Sequence, residues 1–233
     1  MPRVKSRPYL WPFDGNLHPS DTALIVIDMQ HDFCAVGGYI DLMGYDVSLT
    51  QAVIKPLQRV LEVMRLKGFP VIHTRQGVRS DLSDLSETQR LKSRCSGAEI
   101  GQPGPNGSRN LVRGEPGWQI IPELTPRNGE PIIDKAQTGA FYGTDLGLIL
   151  LARGIRNLIF TGITTDVCVH STMRQASDRG YDCLLLEDCC AATDLENHKA
   201  AVKMITMEGG IFGAVSDSQL LIELLESCQT SKL

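Results

Sequence analysis

Short apolar runs alternate along the chain with segments whose apolar residues recur every three or four positions. The first run, Thr22 to Met29, is rich in β-branched residues and follows a polar turn, which predicts a buried strand. Between Leu49 and Lys67 the apolar spacing is helical and Gly68 follows as a stop signal, which predicts a helix. The same criteria predict further strands at Phe69 to Thr74, Pro131 to Lys135, Arg156 to Gly162, Asp182 to Glu187 and, as a short run, Gly210 to Val215. They predict further helices at Thr144 to Arg153, Asp166 to Arg179, Leu195 to Glu208 and Ser218 to Ser227.

One long segment, Arg75 to Trp118, lacks this pattern and is rich in Ser, Asp, Gly and Pro. Its sequence GQPGPNGS, from Gly101 to Ser108, is typical of turns, and only Leu85 to Lys92 has the spacing of a short helix. Loops of this length inside a domain usually serve function or form an interface. We therefore expect this segment to border a binding site or another subunit.

The order of the predicted elements indicates the fold class. Strands that alternate with helices form βαβ units, so we predict a single α/β domain with a mostly parallel, six-stranded sheet and helices on both faces. Residues 1–20 are predicted to form an N-terminal arm and residues 21–233 the domain. In such sheets ligands bind beyond the carboxyl ends of the strands, near the point where the strand order reverses.

Composition and charge exclude several classes of function. The chain has 23 basic and 27 acidic side chains, a net charge of -4, so it lacks the basic field that binds nucleic acid. Its apolar runs are shorter than the roughly 20 residues of a membrane span. The segment MPRVKSRPYLWPFDG has no apolar signal core, which predicts a cytoplasmic protein. The odd count of seven cysteines favours reduced thiols over a disulfide framework.

Residues capable of chemistry stand at the ends of three predicted strands. Asp28 ends the first strand, Lys135 the third, and the turn from Gly162 to Cys168 follows the fourth. We expect these residues to converge at one edge of the sheet. Cys168 begins a helix, where the helix dipole and a nearby lysine would favour a thiolate nucleophile. The unsatisfied N–H groups of the same turn could also bind an oxyanion.

Four segments carry a resemblance to a known superfamily. They read IVIDMQHDFC (residues 25–34), GGYIDLMGYD (37–46), IIDKAQTGAFYGTDL (132–146) and TGITTDVCVHSTMRQASDRGY (161–181). Together they resemble the isochorismatase-like cysteine hydrolases over nearly the whole chain. The resemblance implies that Asp28, Lys135 and Cys168 are a catalytic triad, that Thr164 and Cys168 form the oxyanion hole, and that the peptide bond from Ile163 to Thr164 is cis. It also implies a homo-oligomer, either a dimer or a tetramer, and a mechanism without a cofactor.

Three further segments resemble amidohydrolases of linear ureides, above all biuret hydrolases. These segments are PGWQIIPEL (116–124), LLLEDCCAATD (184–194) and GGIFGAVSDS (209–218). The resemblance implies cleavage of a terminal C–N bond of biuret or triuret through a thioester, with release of ammonia. Biuret-cleaving members place a glutamine where this chain has Glu208. Because an ionised glutamate only accepts hydrogen bonds, we expect Glu208 to favour an N–H-rich substrate end such as that of triuret.

The substrate pocket and the alternatives are less closely defined by the sequence. Phe33, which follows the first strand, and Phe141 and Tyr142, which follow the third, are candidate pocket walls; a neighbouring subunit could supply the last two. Ureidoacrylate or N-carbamoylsarcosine hydrolysis is an alternative activity, and a non-catalytic binding protein on the same fold is an alternative of another class. An enol-ether hydrolase of the isochorismatase type is disfavoured because such members lack the nucleophilic cysteine.

A metal site is not expected. Some nicotinamidases of this superfamily bind a metal ion through an Asp-x-His cluster near the second strand. The corresponding segment here, HTRQGVRSD from His73 to Asp81, has no second histidine.

Overall fold

Six parallel strands form one sheet in the computed structural model, which describes residues 2–15, 17–105 and 107–227. The strand order is β3-β2-β1-β4-β5-β6, so the order reverses between β1 and β4. The predicted fold class, an α/β domain with a six-stranded parallel sheet, is confirmed. The strands are β1 (Thr22–Ile27), β2 (Val71–Gln76), β3 (Ile132–Lys135), β4 (Asn157–Ile163), β5 (Asp182–Ala191) and β6 (Ala214–Ser216).

Nine α-helices lie within the described residues, eight of them between strands and the last after β6. They are α1 (His31–Cys34), α2 (Tyr39–Leu42), α3 (Ser48–Gln51), α4 (Ile54–Leu66), α5 (Glu87–Cys95), α6 (Leu146–Ala152), α7 (His170–Ser177), α8 (Leu195–Thr206) and α9 (Ser218–Ser227). Short 3-10 turns lie at Pro116–Trp118, Pro122–Leu124 and Met207–Gly209, and a π turn at Thr165–Val169 leads into α7. None of the helices that the structure describes is long and apolar enough to cross a bilayer.

The central strand β1 is buried along its whole length and separates two apolar cores. Leu24 and Val26 pack towards α4 and α9, whereas Ala23, Ile25 and Ile27 pack towards α6, α7 and α8. Because successive side chains of a strand point to opposite faces, a strand covered by helices on both sides must be apolar throughout. This requirement explains the uninterrupted apolar run that the sequence shows here.

Several element boundaries differ from the sequence-based prediction. Strand β2 begins after Pro70 and runs two residues beyond the predicted end at Thr74, because Pro70 cannot donate to the ladder and the pairing with β3 continues to Gln76. Strand β5 extends to Ala191, past an irregularity in its pairing with β4. The predicted helix from Leu49 to Lys67 is two helices, α3 and α4.

The long segment after β2 contains a small apolar core of its own. Val78, Leu85 and Val112 pack together, with Leu82 and Ile100 against them. Helix α5 begins two residues later than predicted and is capped by Ser86 through a reciprocal pair of hydrogen bonds with Gln89. The segment therefore folds around a small apolar core of its own.

The N-terminal arm packs on the far edge of the sheet. Arg7 and Val215 of β6 exchange main-chain hydrogen bonds of 2.9 and 2.8 Å in antiparallel orientation. Val4 and Trp11 are fully buried, and the Tyr9 hydroxyl donates to Asp182 at 2.8 Å. The arm thus contributes core residues and covers the exposed backbone of the edge strand.

A cluster of charged residues fixes the start of β3. Glu130 accepts two hydrogen bonds from Arg65 of α4, at 2.7 and 2.8 Å, and its Oε2 lies 3.0 Å from Nε2 of the fully buried His73 of β2. Burial alone would raise the pKa of Glu130, but the hydrogen bonds from His73 and Arg65 outweigh it and hold the pKa well below its usual range. This cluster therefore holds β3 against β2 and α4 as an ion pair.

We predict that Glu130→Gln lowers the free energy of unfolding by about 3 kcal/mol at pH 7, because the substitution leaves the half-buried Arg65 without its counter-charge. A carboxylate with a depressed pKa stabilises the fold above its unfolded pKa of about 4.3 and loses that contribution as the pH falls. Urea unfolding should therefore show a smaller difference between wild type and variant at pH 3.5 than at pH 7.

The matched control for this experiment is Glu196→Gln. It removes the same charge from an exposed pair with Lys199 on α8 and should change stability far less than Glu130→Gln does. Equal effects of the two substitutions would contradict the role assigned to Glu130.

Candidate active site

Polar side chains from the carboxyl ends of four adjacent strands meet at one edge of the sheet. Asp28 follows β1, Gln76 ends β2, Lys135 ends β3, and Cys168 lies in the π turn after β4. The strand order reverses between β1 and β4, so the cluster lies where open parallel sheets bind ligands. The three residues predicted to converge are brought together, and Gln76 joins them.

Close packing of β4 on β1 makes this convergence possible. Gly162, near the end of β4, has a φ of +104°, and a side chain there would collide with the main chain of Ile27. Glycine is therefore required at this position. Immediately after Ile27, Asp28 adopts a φ of +51°, in the left-handed region that non-glycine residues rarely occupy. The strand ends at this residue.

Asp28 and Lys135 form an ion pair with no solvent exposure. The Lys135 ammonium lies 2.7 Å from Asp28 Oδ2, and both side chains are 0% exposed. Thr74 donates its hydroxyl to the other oxygen, Oδ1, at 2.6 Å. Burial alone would lower the pKa of Lys135, but the neighbouring Asp28 carboxylate outweighs burial, so the pKa lies above its ordinary value. The lysine is therefore a permanent cation beside a carboxylate.

The Cys168 thiol is buried between these charges. Its Sγ donates to Gln76 Oε1 at 3.0 Å and also interacts with Asp28 and Lys135. Burial raises the pKa of the Cys168 thiol to about 12, since the lowering effect of Lys135 is offset by Asp28. Burial and the adjacent carboxylate thus oppose the thiolate that the helix start and the lysine favour.

The main chain before Cys168 forms a tight turn. The peptide bond from Ile163 to Thr164 is cis. The Thr164 carbonyl accepts from the N–H groups of Val167 and Val169 at 3.2 and 3.1 Å, which folds the turn tightly. Within the described part of the chain, neither the Thr164 N–H nor the Cys168 N–H donates to main-chain oxygens outside this turn and the adjoining strand. Both N–H groups lie at the start of the turn that holds the thiol.

A cavity of about 330 Å³ opens onto the thiol. Its apolar and aromatic lining is mainly Phe33, Tyr39, Ile40, Met43, Tyr45 and Leu111. Its polar lining is Gln76, Thr138, Thr164, Asp166, Thr193 and Asn197. Of the described residues that line the cavity, none is an arginine, lysine or histidine. Leu111 and Ile100 belong to the long segment after β2, so this segment forms part of the cavity wall.

One of the four predicted substrate contacts, Phe33, lies in this wall, and three do not. Phe141 is turned into the core beneath α6 and α7, with its ring 6.0 Å from that of Tyr181. Tyr142 is 68% exposed and borders a separate surface depression. Glu208 is exposed in a left-handed turn after the C-terminal end of α8. The N-terminal end of this twelve-residue helix, about 18 Å away, borders the cavity through Asn197. Within one subunit these three residues do not reach the thiol.

Sequence reasoning missed the polar residues that support the cluster. Gln76 lies beyond the predicted end of β2 at Thr74. Thr74 itself stands beside His73, the more conspicuous residue. The signal for Gln76 is the rule that located Asp28 and Lys135, a polar residue at the carboxyl end of a strand. Among the residues described, no cluster of three His, Cys, Asp or Glu side chains is placed to hold a metal ion.

A buried thiol, carboxylate and ammonium at the switch point of a parallel sheet define the class of cysteine-dependent hydrolases. Comparison with known proteins gives the family. The isochorismatase domain model matches residues 22–219, and the chain belongs to this family. The predicted membership of the isochorismatase-like cysteine hydrolases is thus confirmed.

Individual relatives support the same assignment. The chain is 35% identical over 217 residues to ureidoacrylate amidohydrolase RutB of Acinetobacter baylyi, which covers 91% of this chain and 87% of the relative. The structure is similar to a cysteine hydrolase from Pseudomonas syringae pv. phaseolicola (TM-score 0.78, 28% identity, 97% of this chain and 98% of the other). It is also similar to N-carbamoylsarcosine amidase from Thermoplasma acidophilum (TM-score 0.65, 25% identity, 85% of this chain and 96% of the other). The prediction of a hydrolase acting on amide C–N bonds is confirmed.

We predict that Cys168 reacts slowly with iodoacetamide at pH 7, because only the thiolate attacks and burial keeps the thiol protonated. Its alkylation rate should rise nearly tenfold per pH unit up to about pH 10. Peptide mass spectrometry measures this rate, and the exposed Cys95 of α5 serves as an internal reference.

Two variants assign the labelled sites in this measurement. Cys168→Ala should remove the slow site only, and Cys95→Ser the fast site only. Faster labelling of Cys168 than of Cys95 at pH 7 would show that the thiolate is present in the resting enzyme after all.

Proposed function

We propose that the protein hydrolyses the terminal C–N bond of a small, uncharged linear ureide, biuret or triuret, and releases ammonia. The observation that carries this proposal is the cavity itself. The thiol that lines it lies beside an ion pair, and the described residues of its walls include no cation and one carboxylate, that of Asp166. The relatives named for ureidoacrylate and N-carbamoylsarcosine support linear ureides as the substrate class.

Charge separates the proposed substrates from those of the relatives. Ureidoacrylate and N-carbamoylsarcosine each carry a carboxylate, and a carboxylate that leaves water needs a cation or several donors. Lys135 is the nearest ammonium to the thiol and is already paired with Asp28 at 2.7 Å. Biuret and triuret carry no charge, so they enter such a cavity without an unpaired ion.

Asp166 provides an acceptor suited to an N–H-rich ligand. It lines the cavity two residues before Cys168, and none of the described residues donates a hydrogen bond to its Oδ1. A carboxylate only accepts hydrogen bonds, and each ureide nitrogen carries N–H donors. Asp166 therefore takes the role that sequence reasoning gave to Glu208.

The ion pair and the thiol together support a covalent mechanism. Asp28 Oδ2 contacts Lys135 and receives no other hydrogen bond from the described residues, so it has a lone pair for the Cys168 proton. As that proton moves, Sγ attacks the terminal carbonyl carbon of the ureide. The oxygen of this carbonyl becomes an oxyanion, which the N–H groups of Thr164 and Cys168 stabilise.

Collapse of this adduct breaks the C–N bond. Protonated Asp28 returns its proton to the departing nitrogen, which leaves as ammonia, while the remaining acyl group stays on Cys168 as a thioester. Asp28 then takes a proton from water, whose oxygen attacks the thioester carbon. The C–S bond breaks, the thiol regains its proton, and the shortened ureide leaves as a carboxylic acid. Lys135 keeps its charge throughout and balances the anions that form beside it.

We predict that the protein releases ammonia from biuret or triuret with a kcat/KM at least tenfold above that for ureidoacrylate, N-carbamoylsarcosine or nicotinamide. A coupled ammonia assay over these five compounds measures the ranking. Cys168→Ala should lower kcat by at least a thousandfold, because removal of one member disables the whole catalytic unit.

The same assay tests the alternative of a non-catalytic binding protein. Full turnover by Cys168→Ala would refute the thiol mechanism. Binding of a ureide by wild type without any ammonia release would favour the binding protein instead.

We predict that Asp166→Asn shifts the substrate preference towards carboxylate-bearing ureides. The variant removes the wall's charge at constant shape, so the ratio of kcat/KM for the better of biuret and triuret to that for N-carbamoylsarcosine should fall about tenfold or more. Glu208→Gln, the matched control, removes the same charge from the distant exposed turn and should leave the ratio within twofold. Equal ratios in wild type and Asp166→Asn would remove Asp166 from substrate recognition.

A further inference from the structure

Gln76 contacts both the candidate nucleophile and the cation beside it. Its Oε1 accepts from Cys168 Sγ at 3.0 Å and from Lys135 Nζ at 3.1 Å. Gln76 stands at the carboxyl end of β2, in register with Lys135 on β3, and its side chain also lines the cavity. Gln76 is thus the residue that β2 contributes to the polar cluster at the carboxyl ends of the four strands.

The orientation of the Gln76 amide follows from its neighbours. The lysine ammonium has only donors and the thiol has one donor, so the amide must turn its oxygen towards both and its NH₂ group away from them. The reverse orientation would direct two N–H groups at a buried cation. The assignment of Oε1 to the thiol side is therefore dictated by charge.

A second glutamine holds the main chain of Gln76 in place. The side chain of the fully buried Gln30 accepts from the Gln76 N–H at 2.7 Å and donates to the Gln76 carbonyl at 2.9 Å. Gln30 also donates to the carbonyl of Trp118 at 2.9 Å. The Gly77 N–H donates to the Lys135 carbonyl at 2.9 Å, which ties β2 to β3 at this level. These hydrogen bonds fix the main chain of Gln76 and thereby restrict the position of Oε1 relative to the thiol.

We propose that Gln76 is a positioning residue that keeps the Cys168 proton on sulfur in the resting enzyme and aims Sγ into the cavity. An amide oxygen at 3.0 Å accepts the S–H hydrogen but would repel a sulfur anion, so it favours the thiol over the thiolate. The proton leaves only when it turns from Gln76 Oε1 to Asp28, as the bond between sulfur and the substrate carbon forms. This inference rests on the proposed thiol chemistry and does not depend on which ureide is cleaved.

Two substitutions at Gln76 test this role in opposite directions. Gln76→Met keeps the length of the side chain and removes the amide oxygen. It should move the pH profile of Cys168 alkylation down by one pH unit or more and lower kcat ten- to a hundredfold, with KM changed less than threefold. Gln76→Glu keeps the shape and adds a negative charge, so it should move the alkylation profile up and also lower kcat.

The combined readout separates positioning from a merely structural role. A structural defect would lower kcat in both variants without opposite shifts of the alkylation profile. Gln58→Met, which removes an exposed amide on α4, is the matched control and should alter neither kcat nor the profile. Thermal melting shows which variants are folded. If Gln76→Met does not fold, the alkylation profile of Gln76→Glu, which preserves the shape of the side chain, still tests the role of Gln76.

An alkylation profile that matches wild type in a folded Gln76 variant would overturn the inference, as would an unchanged kcat. Failure of the proposed function has a different signature, because alkylation needs no substrate. If wild type cleaves none of the ureides yet the two profiles shift in opposite directions, the role of Gln76 stands and the substrate assignment fails. If ureides are cleaved and the profiles do not move, the reverse holds.

Discussion

The buried ion pair between Asp28 and Lys135 is the constraint on which the rest of the site depends. Two opposite charges without solvent contact are costly to bury and hold together only in close geometry, here 2.7 Å, with Thr74 supporting the carboxylate. The net charge of the pair is zero, so burial affects the pKa of the neighbouring Cys168 thiol more strongly than either charge does. In the mechanism that we propose, a neutral thiol lies next to its own base, and charge separates only when a substrate carbon is attacked.

This arrangement explains why four strand ends are needed. The carboxylate comes from the end of β1, the cation from β3 and the thiol from the turn after β4. The side chain of Lys135 must cross the end of β2 to reach Asp28. Gln76 stands at this end of β2, and its Oε1 accepts a hydrogen bond from the Lys135 ammonium. The Glu130 cluster fixes the other end of the short strand β3, so the lysine is anchored at both ends of its strand.

The sequence predicted the fold and the three polar strand ends because both follow from local patterns. An apolar run such as Thr22–Ile27 indicates a strand covered on both faces. An acid or lysine directly after such a run lies at the carboxyl end of the strand, and therefore at the edge of the sheet where ligands bind. The pocket walls were harder to predict. Whether Phe33 or Phe141 faces the cavity depends on the direction of each side chain within a turn, which no periodicity specifies. Burial was the other missing quantity, because the pKa of the Cys168 thiol depends on what packs against it, which the local sequence does not specify.

The pairing of Arg7 with Val215 has a consequence for how the molecule associates. A parallel sheet has two lateral margins, and each is a template on which a foreign strand can add. On the β6 side, Arg7 of the N-terminal arm pairs with Val215 and occupies that edge. The buried Trp11 anchors the arm there. Growth of a continuous sheet through this margin is thereby blocked, so copies of the protein that assemble must meet through helices, loops or the opposite margin.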